Sequence, residues 1–331
     1  MSFKRLDPED FLVSADSITA TAWSTNSPTL TEFYTSSVQA SSTSGKFYLD
    51  VYQTGSNLTG AAVQFAIAYG NKYGYGAPYY NDLVAGKTPT RTVFGQFRNL
   101  IYGDENAEFI YTPATASDFW ALSVERARYK EHLFKGSFNL KLTTAGGDLY
   151  LTDNSKDTST DSFLDAGRVY QIVSGSNGKA YSGTGYSATS GSYGLFLPDV
   201  GLAVLNPLAL DETIALAPSK SVDAQDANNK ILFNAIKAGG SFKLNSEETV
   251  TSDYVYVRAR NAEFNYSDNP SFISGSTGEV LFDQFIYAPQ TYVTTIGLYN
   301  DSNELLAVAK LSKPLLKDFT KEALVRVKLD F

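Results

Sequence analysis

The chain has 331 residues, a formal net charge of −8 and an isoelectric point near 4.8. This acidic balance argues against a nucleic-acid or anionic-membrane surface, since both favour clustered Lys and Arg side chains. The absence of cysteine excludes disulfides, thiolate zinc sites and cysteine nucleophiles. A chain of this length can bury a sizeable core and has room for two domains.

Tyrosine and phenylalanine dominate the aromatic residues, with 22 Tyr and 21 Phe against 2 Trp. Tyr-rich chains with much Ser, Thr and Gly favour β-sheets whose surfaces pack against other proteins, although a plain β-rich protein has the same composition. The first residues lack an apolar leader region, and no run of about eighteen apolar residues occurs. We therefore expect a protein made in the cytosol that does not cross a membrane.

Residues 1–45 are polar and rich in Ser and Thr, with isolated apolar residues that include Trp23 and Phe33. This texture predicts an extended N-terminal arm that lies on a neighbouring subunit through those aromatic side chains. Apolar and polar residues then alternate over 46–52 and 61–69, which predicts two strands.

A loop built from Gly, Tyr and Pro follows at residues 70–82 and carries Tyr73, Tyr75, Tyr79 and Tyr80. Tyr combines a large apolar area with a hydrogen-bonding tip, so these rings predict a subunit interface. The same rings could instead stack on sugars, and the sequence leaves both interpretations open.

The clearest helix signal lies between Thr88 and Gly103. Thr88 precedes Pro89, which is a favourable start for a helix, and Gly103 is a favourable stop. Between them, five apolar residues follow the spacing of one helix face: Val93, Phe94, Phe97, Leu100 and Ile101. Residues 120–124 and 138–142 predict strands.

The middle of the chain changes texture, because residues 143–192 are dominated by Gly, Ser, Thr and Asp. Residues 174–178 predict a hairpin turn. Residues 194–205 predict an apolar strand that Pro207 ends, and a second helix is predicted over 226–238 with a Gly-Gly stop.

A short echo brackets this middle region, since Gly-Ser-Phe-Asn-Leu at 136–140 returns as Gly-Ser-Phe-Lys-Leu at 240–244. The echo predicts that residues 143–239 are an inserted β-rich domain within a main β-rich domain formed by 46–142 and 240–331. The predicted fold class is mainly β with a few short helices, a β-rich α+β fold of antiparallel, sandwich-like sheets.

Residues 254–260, 262–266 and 280–287 are predicted to continue the sheet of the main domain. A hairpin is then predicted from residue 292 to residue 310, around the Asn-Asp-Ser-Asn turn at 300–303.

The last forty residues close the predicted sheet. A linker that holds Pro314 is expected after the hairpin, followed by a final strand over 323–331. Apolar and charged residues alternate strictly in that strand, which places the apolar set on one face. The apolar Phe331 is expected to fix the end of the strand in a sheet, where it forms part of an interface.

No catalytic, cofactor or metal site is predicted. A histidine-based triad could use only His132, which lies in a charged segment and is expected at a surface or interface. The spacing of Asp153, Asp157 and Asp161 is weakly like a calcium loop, but the mid-loop glycine is missing. The glycine patterns at 175–180 and 183–188 lack the strand and helix of nucleotide-binding motifs. Carboxylates paired for glycoside hydrolysis have no sequence signature, so this possibility stays open.

Five segments carry a resemblance to a known group of proteins: residues 104–111, 193–207, 261–270, 292–300 and 305–314. In these segments, which are scattered along the chain, the sequence resembles virion structural proteins of T-even-like contractile-tailed phages, including those of cyanophages. The resemblance implies a non-enzymatic part of the tail, with the baseplate wedge or its periphery first. Neck, collar and head-decoration roles remain as alternatives.

The length and the apolar C-terminal strand are similar to those of the outer wedge subunit that dimerises in such baseplates. The resemblance implies assembly into the virion in the host cytoplasm, with other virion proteins and further copies of the chain as partners. Expected contact regions are the arm at 1–45, the Tyr loop at 70–82 and the sheet edge near the C-terminus. No enzyme, cofactor, nucleic-acid or membrane role is implied. A glycan-binding tail protein is the other alternative, although a host glycan is not the expected partner.

Overall fold

The structure is a computed structural model that describes residues 3–35, 47–55, 57–76, 88–221, 227–267 and 269–330. Strands hold 44% and helices 16% of these residues, so the predicted mainly β fold with a few short helices is confirmed. The register of the large sheets is antiparallel, as expected for neighbours joined by short turns.

The strands are β1 (Phe11–Thr21), β2 (Thr29–Leu30), β3 (Tyr34–Thr35), β4 (Tyr48–Tyr52), β5 (Val63–Asn71), β6 (Phe109–Tyr111), β7 (Ala114–Ala116), β8 (Asp118–Val124), β9 (His132–Leu133), β10 (Asn139–Thr144), β11 (Gly147–Asp153), β12 (Ser162–Leu164), β13 (Gly167–Ser176), β14 (Lys179–Ala180), β15 (Gly194–Leu197), β16 (Leu202–Leu205), β17 (Phe242–Lys243), β18 (Asn245–Ala259), β19 (Thr291–Tyr299), β20 (Leu305–Lys317) and β21 (Ala323–Asp330). The α-helices are α1 (Pro89–Tyr102), α2 (Pro207–Ile214), α3 (Ala227–Gly239) and α4 (Asp283–Tyr287).

The chain divides into two compact units. One, here called the core unit, is Ser17–Glu248; the other, the terminal unit, joins Met1–Asp16 to Thr249–Phe331. These boundaries differ from the predicted ones. The predicted insertion at 143–239 is not separate, because β11, β13, β15 and β16 lie in one sheet with β8, β5 and β4. The predicted arm also differs, since β1, β2 and β3 all pair within sheets of this chain.

The core unit is built on one curled antiparallel sheet. Its strand order is β2-β17-β10-β11-β13-β15-β16-β8-β5-β4-β3, and β12 and β14 each pair with β13. The sequence echo lies in this sheet, because Leu140 of β10 is opposite Phe242 of β17. The two similar segments are therefore neighbouring strands, and they do not mark the ends of an inserted domain.

Both faces of the curled sheet are covered, which explains the continuous apolar runs at β8, β15 and β16. Trp120 and Phe196 belong to a hydrophobic cluster on one face, together with residues of α2 and α3. Their chain neighbours Phe119 and Leu195 belong to a second cluster that includes residues of α1. Successive strand residues point to opposite faces, so a strand buried on both sides has no polar alternation.

Helix α1 has the predicted bounds. Thr88 is its N-cap residue in an extended conformation, Pro89 is the first helical residue, and Gly103 ends it at φ +63°. Gly adopts this left-handed conformation without the steric cost of a Cβ. The apolar spacing that predicted the helix buries Val93, Phe94 and Ile101.

The terminal unit contains a sheet and a separate hairpin. In the sheet, β18 is flanked by β1 and β21, and residues 252–259 of β18 are opposite 323–330 of β21. The hairpin pairs β19 with β20 alone, as predicted for residues 292–310. The predicted alternation of the last strand is confirmed, because Val327 is buried while Arg326 and Lys328 are exposed.

Four local predictions were wrong. The apolar residues 194–205 form the two strands β15 and β16 instead of one strand, although β16 ends at Leu205, before Pro207, as predicted. Pro207 is also the first residue of α2, with Asn206 as its cap. Residues 280–287 contain α4, and 262–266 contain no strand. The predicted linker around Pro314 is part of β20. The proposed cap of the second helix, Asp226, lies outside the described residues.

Candidate interaction surface

Trp23 and Phe33 are core residues, which corrects their predicted place at an interface. Trp23 is 1% exposed, and its indole Nε1–H donates to the Phe242 carbonyl oxygen at 2.8 Å. Phe33 is 2% exposed and packs edge-on to Phe65 at a centroid distance of 6.5 Å. Both side chains are enclosed by this chain's own curled sheet, so they present no surface to a partner.

Tyr73 and Tyr75 are on the surface of the core unit. They are 59% and 42% exposed, their ring centroids are 6.3 Å apart, and the backbone N–H of each donates to Asn71 Oδ1. Asn71 thus fixes the backbone of the turn while the two rings project outward. Their role at an interface stays a prediction, and Tyr79, Tyr80 and Phe331 lie outside the described residues.

The strongest surface feature is in the terminal unit, which buries little apolar area. Among its described residues only Val255 and Val327 are buried apolar side chains. Neither hydrophobic core cluster of the structure contains a residue of this unit. Folded domains normally pack the apolar faces of their sheets against a second layer, so this unit has apolar faces that the described residues leave largely uncovered.

The exposed apolar side chains of the structure are concentrated in this unit. It has less than a third of the chain but more than half of the large exposed apolar residues of the described part. Those after residue 260 are Tyr266, Val280, Leu281, Phe282, Ile286, Tyr287, Tyr292, Tyr299, Leu305, Leu306, Val308, Phe319 and Leu324. Concentrated exposed apolar area of this kind marks a site of protein or membrane contact.

A groove of about 2080 Å³ lies within the terminal unit. Its lining includes Val255, Val257 and Val325 from the sheet, and Ile296, Leu298 and Ala307 from the hairpin. Pockets for small molecules usually have volumes of about 300–1,000 Å³. A groove of this size with apolar walls is suited to a polypeptide segment rather than to a small ligand.

Lys317 anchors the hairpin at one end of this groove. Its side chain is fully buried, and its Nζ donates to Asn265 Oδ1 at 2.8 Å and to the carbonyl oxygens of Asn261 and Asp318 at 3.0 and 3.1 Å. Three oxygen acceptors match the three N–H donors of an ammonium group. The lysine therefore ties the last residue of β20 to the turn that follows β18.

The aspartates of the calcium-like spacing each hold the local backbone or a neighbouring side chain. Asp153 is fully buried, and its Oδ2 accepts from the Gly136 N–H at 2.7 Å. Burial raises the pKa of Asp153 above its ordinary value, and the hydrogen bond from Gly136 opposes that rise. Asp157 accepts from the Ala180 N–H, and Asp161 from Lys135 and Tyr170. Among the described residues no group of three or more acidic or histidine side chains is placed to hold a metal ion.

His132 contacts a carboxylate, but this contact does not form the nucleophile–base pair of a catalytic triad. Its Nε2 is 2.9 Å from Glu247 Oε2, and the Ser17 hydroxyl donates to the other oxygen of the same carboxylate. Glu247 thus lies between the serine and the histidine. In a nucleophilic triad the histidine would have to contact the serine directly. The contacts position β9 beside β18, as their pairing requires.

The fold and this surface define a β-rich protein with a well-packed core unit and a terminal unit of exposed apolar sheet faces. Sequence reasoning pointed to the C-terminal sheet edge but missed the exposed residues of α4, whose Ile286 and Tyr287 are 61% and 86% exposed. No helix within the described ranges is long and apolar enough to cross a membrane. Comparisons of the chain with models of protein families, with curated proteins and with solved structures found no match.

Proposed function

We propose that this chain is a non-enzymatic structural subunit of a phage virion that binds neighbouring subunits through its terminal unit. The observation that carries the proposal is the uncovered apolar surface of that unit, in whose described residues only Val255 and Val327 are buried apolar side chains. The resemblance to virion proteins of contractile-tailed phages points to the tail, with the baseplate wedge first and neck, collar or head decoration as alternatives.

An apolar sheet face is stable in water only when another layer covers it. Burial of apolar area contributes about 25 cal/mol per Å² to association, so an uncovered sheet face stabilises a complex more than it stabilises the free chain. Unpaired strand edges add backbone hydrogen-bonding groups that a neighbouring chain can use. A subunit of a large symmetric assembly needs such surfaces to bind its neighbours. A protein that functions as a free monomer is more stable when such surfaces are buried within its own fold.

The proposal is tested by incorporation of a tagged copy into particles made in infected cells. We expect the tag to sediment with intact particles and to be located on the tail by electron microscopy. The double variant Ile286→Ser/Tyr287→Ser should reduce incorporation by about tenfold or more, because it removes exposed apolar area from the terminal unit. Its unfolding temperature should not change, since both side chains are exposed.

The matched control is Ile110→Ser/Tyr181→Ser, which removes two apolar side chains of the core unit that are 53% and 63% exposed. This control should be incorporated at the level of the unmodified chain. A tagged chain that never joins a particle would contradict the proposal, as would equal loss in both variants.

A glycan-binding tail protein is the second candidate, because Tyr73 and Tyr75 present two exposed rings at one turn. A glycan-binding assay on two purified double variants distinguishes it. Binding of host glycans that is kept in the Ile286→Ser/Tyr287→Ser variant and lost in Tyr73→Ala/Tyr75→Ala would favour this second candidate.

A further inference from the structure

A two-residue turn joins β13 to β14 in the core unit. Ser176 is opposite Lys179, so Asn177 and Gly178 are the two turn residues. Both have positive φ angles, +53° and +85°. Two-residue hairpin turns with positive φ at both positions strongly prefer the pair Asn-Gly, because few other residues adopt this conformation without strain. The turn that the sequence predicted at 174–178 therefore needs the dipeptide that it contains.

The same dipeptide is chemically labile. In a polypeptide, the backbone nitrogen of the residue after an asparagine can attack the carbonyl carbon of the asparagine side chain. The attack is least hindered when that residue is glycine, which has no side chain. Asn177-Gly178 is the only Asn-Gly pair of the chain. Spontaneous loss of a side-chain amide is therefore expected first at residue 177.

This reaction consumes one water molecule and releases one ammonia molecule. The Gly178 nitrogen bonds to the side-chain carbonyl carbon of Asn177, the bond from that carbon to Nδ2 breaks, and ammonia leaves with the proton of the Gly178 N–H. Water then opens the five-membered imide at either of its two carbonyl carbons. The product is aspartate or isoaspartate at residue 177, and isoaspartate has one more carbon in the main chain.

The attacking nitrogen is buried and hydrogen-bonded in the fold. Gly178 is buried, and its N–H donates to the Thr152 hydroxyl oxygen at 2.8 Å. Thr152 lies on β11 and is itself fully buried. The hydrogen bond holds the proton of Gly178 and directs its nitrogen toward Thr152. It has to break before the nitrogen can attack the side chain of Asn177.

Two further hydrogen bonds and close packing hold the turn. The Lys156 N–H donates to the Gly178 carbonyl oxygen at 2.9 Å, and the Asn177 N–H donates to Asn139 Oδ1 at 2.6 Å. A Cβ built on Gly178 would lie 2.8 Å from the Gly136 Cα, so the turn packs closely against the segment before β10. Asn177 itself is exposed. Water can reach its side chain, and the protection therefore lies at Gly178.

We propose that Asn177 is a latent deamidation site, at which the hydrogen bond from Gly178 to Thr152 blocks the reaction in the folded chain. Residue 177 is converted only when the β13–β14 hairpin opens locally. The isoaspartate product cannot return to the two-residue turn, because its main chain is longer. This inference goes beyond the proposed function, since it concerns the core unit and requires no partner.

Peptide mapping by mass spectrometry measures the reaction in the purified full chain, incubated in mildly alkaline buffer. In urea, where the turn is lost, the peptide that contains residue 177 should show the mass change from an amide to a carboxyl group. In native buffer the same conversion should be at least about tenfold slower, because it requires local opening of the hairpin.

Thr152→Val tests the blocking group, because valine has nearly the shape of threonine but no hydrogen-bond acceptor. We expect residue 177 of this variant to be converted about fivefold faster in native buffer, as the loss of one hydrogen bond implies. The matched control is Val93→Ala, which removes buried apolar volume from α1 and leaves the turn intact. This control should convert residue 177 at the rate of the unmodified chain, although its global stability is lower.

Asn139→Ala is a second variant that tests the turn if Thr152→Val does not fold. It removes the acceptor of the Asn177 N–H at a half-buried position, and about a twofold acceleration is expected. Circular dichroism and thermal unfolding establish that each variant is folded before its rate is compared.

Three results would overturn the inference. The first is a native chain that is converted as fast as the chain in urea. The second is that neither Thr152→Val nor Asn139→Ala is converted faster than the unmodified chain. The third is equal acceleration in Thr152→Val and Val93→Ala, since the reaction would then proceed through global unfolding and the bond to Thr152 would have no particular role.

Discussion

Asp153 belongs to the calcium-like spacing in the sequence, but in the fold its carboxylate holds the local backbone. Its Oδ1 has no hydrogen-bond partner, while Oδ2 accepts from the Gly136 N–H at 2.7 Å. Burial raises the pKa of this carboxyl because an ionised group loses solvation in the interior. Its neighbour in the spacing, Asp161, has a lowered pKa because it accepts from Tyr170 and Lys135. Two acids eight residues apart thus affect stability in opposite directions.

We predict that Asp153→Asn increases the free energy of unfolding at neutral pH by about 1 kcal/mol. A raised pKa in the folded state means that the contribution of Asp153 to stability is complete below its unfolded pKa and is lost as pH rises through the folded value. The amide keeps an acceptor for Gly136 and carries no charge, so this pH dependence should disappear. Urea denaturation at several pH values measures both effects.

Asp161→Asn serves as the control with the opposite sign. The lowered pKa of Asp161 means that its stabilisation is present above its unfolded pKa, so its removal should lower stability at neutral pH. A loss of stability in Asp153→Asn at neutral pH would show that its hydrogen bonds outweigh the cost of burying its charge.

At the scale of elements, helix α1 and its C-cap contain two glycines whose replacement by alanine should have opposite effects on stability. Gly103 ends the helix at φ +63°, where a Cβ would also lie 2.6 Å from Asp165 Oδ2. Gly95 lies inside the same helix, and a Cβ built there meets nothing within 4 Å.

We predict that Gly95→Ala stabilises the protein by roughly 0.5–1 kcal/mol, because Ala loses less backbone entropy on helix formation. Gly103→Ala should cost about 1–2 kcal/mol, because the left-handed conformation is strained for a residue with a Cβ. Thermal and urea unfolding of both variants provides the measurement. Equal signs for the two substitutions would contradict this account of the helix and its cap.

Local signals explain which elements were predictable. The caps and spacing of α1, the turn at 300–303 and the alternation of β21 depend only on residues close in sequence, and all three agree with the structure. Pro207 follows the end of β16, as predicted, but its second role as the first residue of α2 was not predicted, because proline suits both positions. The predicted linker failed at Pro314 because a bulge in an edge strand accommodates a proline that a central strand could not.

Long-range pairing explains what the sequence could not show. The terminal unit is formed from the two ends of the chain, since residues 1–16 group with residues 249–331. No local pattern indicates that β2 pairs with β17 or that β16 pairs with β8, which are separated by many residues. The buried places of Trp23 and Phe33 follow from the same pairings, so an aromatic residue in a polar segment could not be assigned to core or interface beforehand.

At the scale of the whole molecule, the two units differ in what stabilises them. The core unit has two hydrophobic clusters on the faces of its curled sheet, built around rings such as Trp120 and Phe119. The terminal unit relies on backbone pairing, on Lys317 and on a few half-buried side chains. Elements with few buried apolar contacts open at lower free-energy cost than elements in a packed core. The terminal unit should therefore gain most of its stability when a partner covers it.

Hydrogen exchange measured by mass spectrometry should show this difference directly. In dilute purified protein, we predict that backbone amides of β19 and β20 exchange about a hundredfold faster than those of β5 and β8. Assembly should slow exchange in the hairpin and leave β5 and β8 unchanged, because binding to the folded form lowers the population of the open form. The control is the Ile286→Ser/Tyr287→Ser variant, whose hairpin should keep the exchange rate of the unmodified monomer under the conditions of assembly. The contrary result is that hairpin amides in the dilute monomer exchange as slowly as those of β8. The terminal unit would then be stable without a partner, and its uncovered apolar faces would need another explanation.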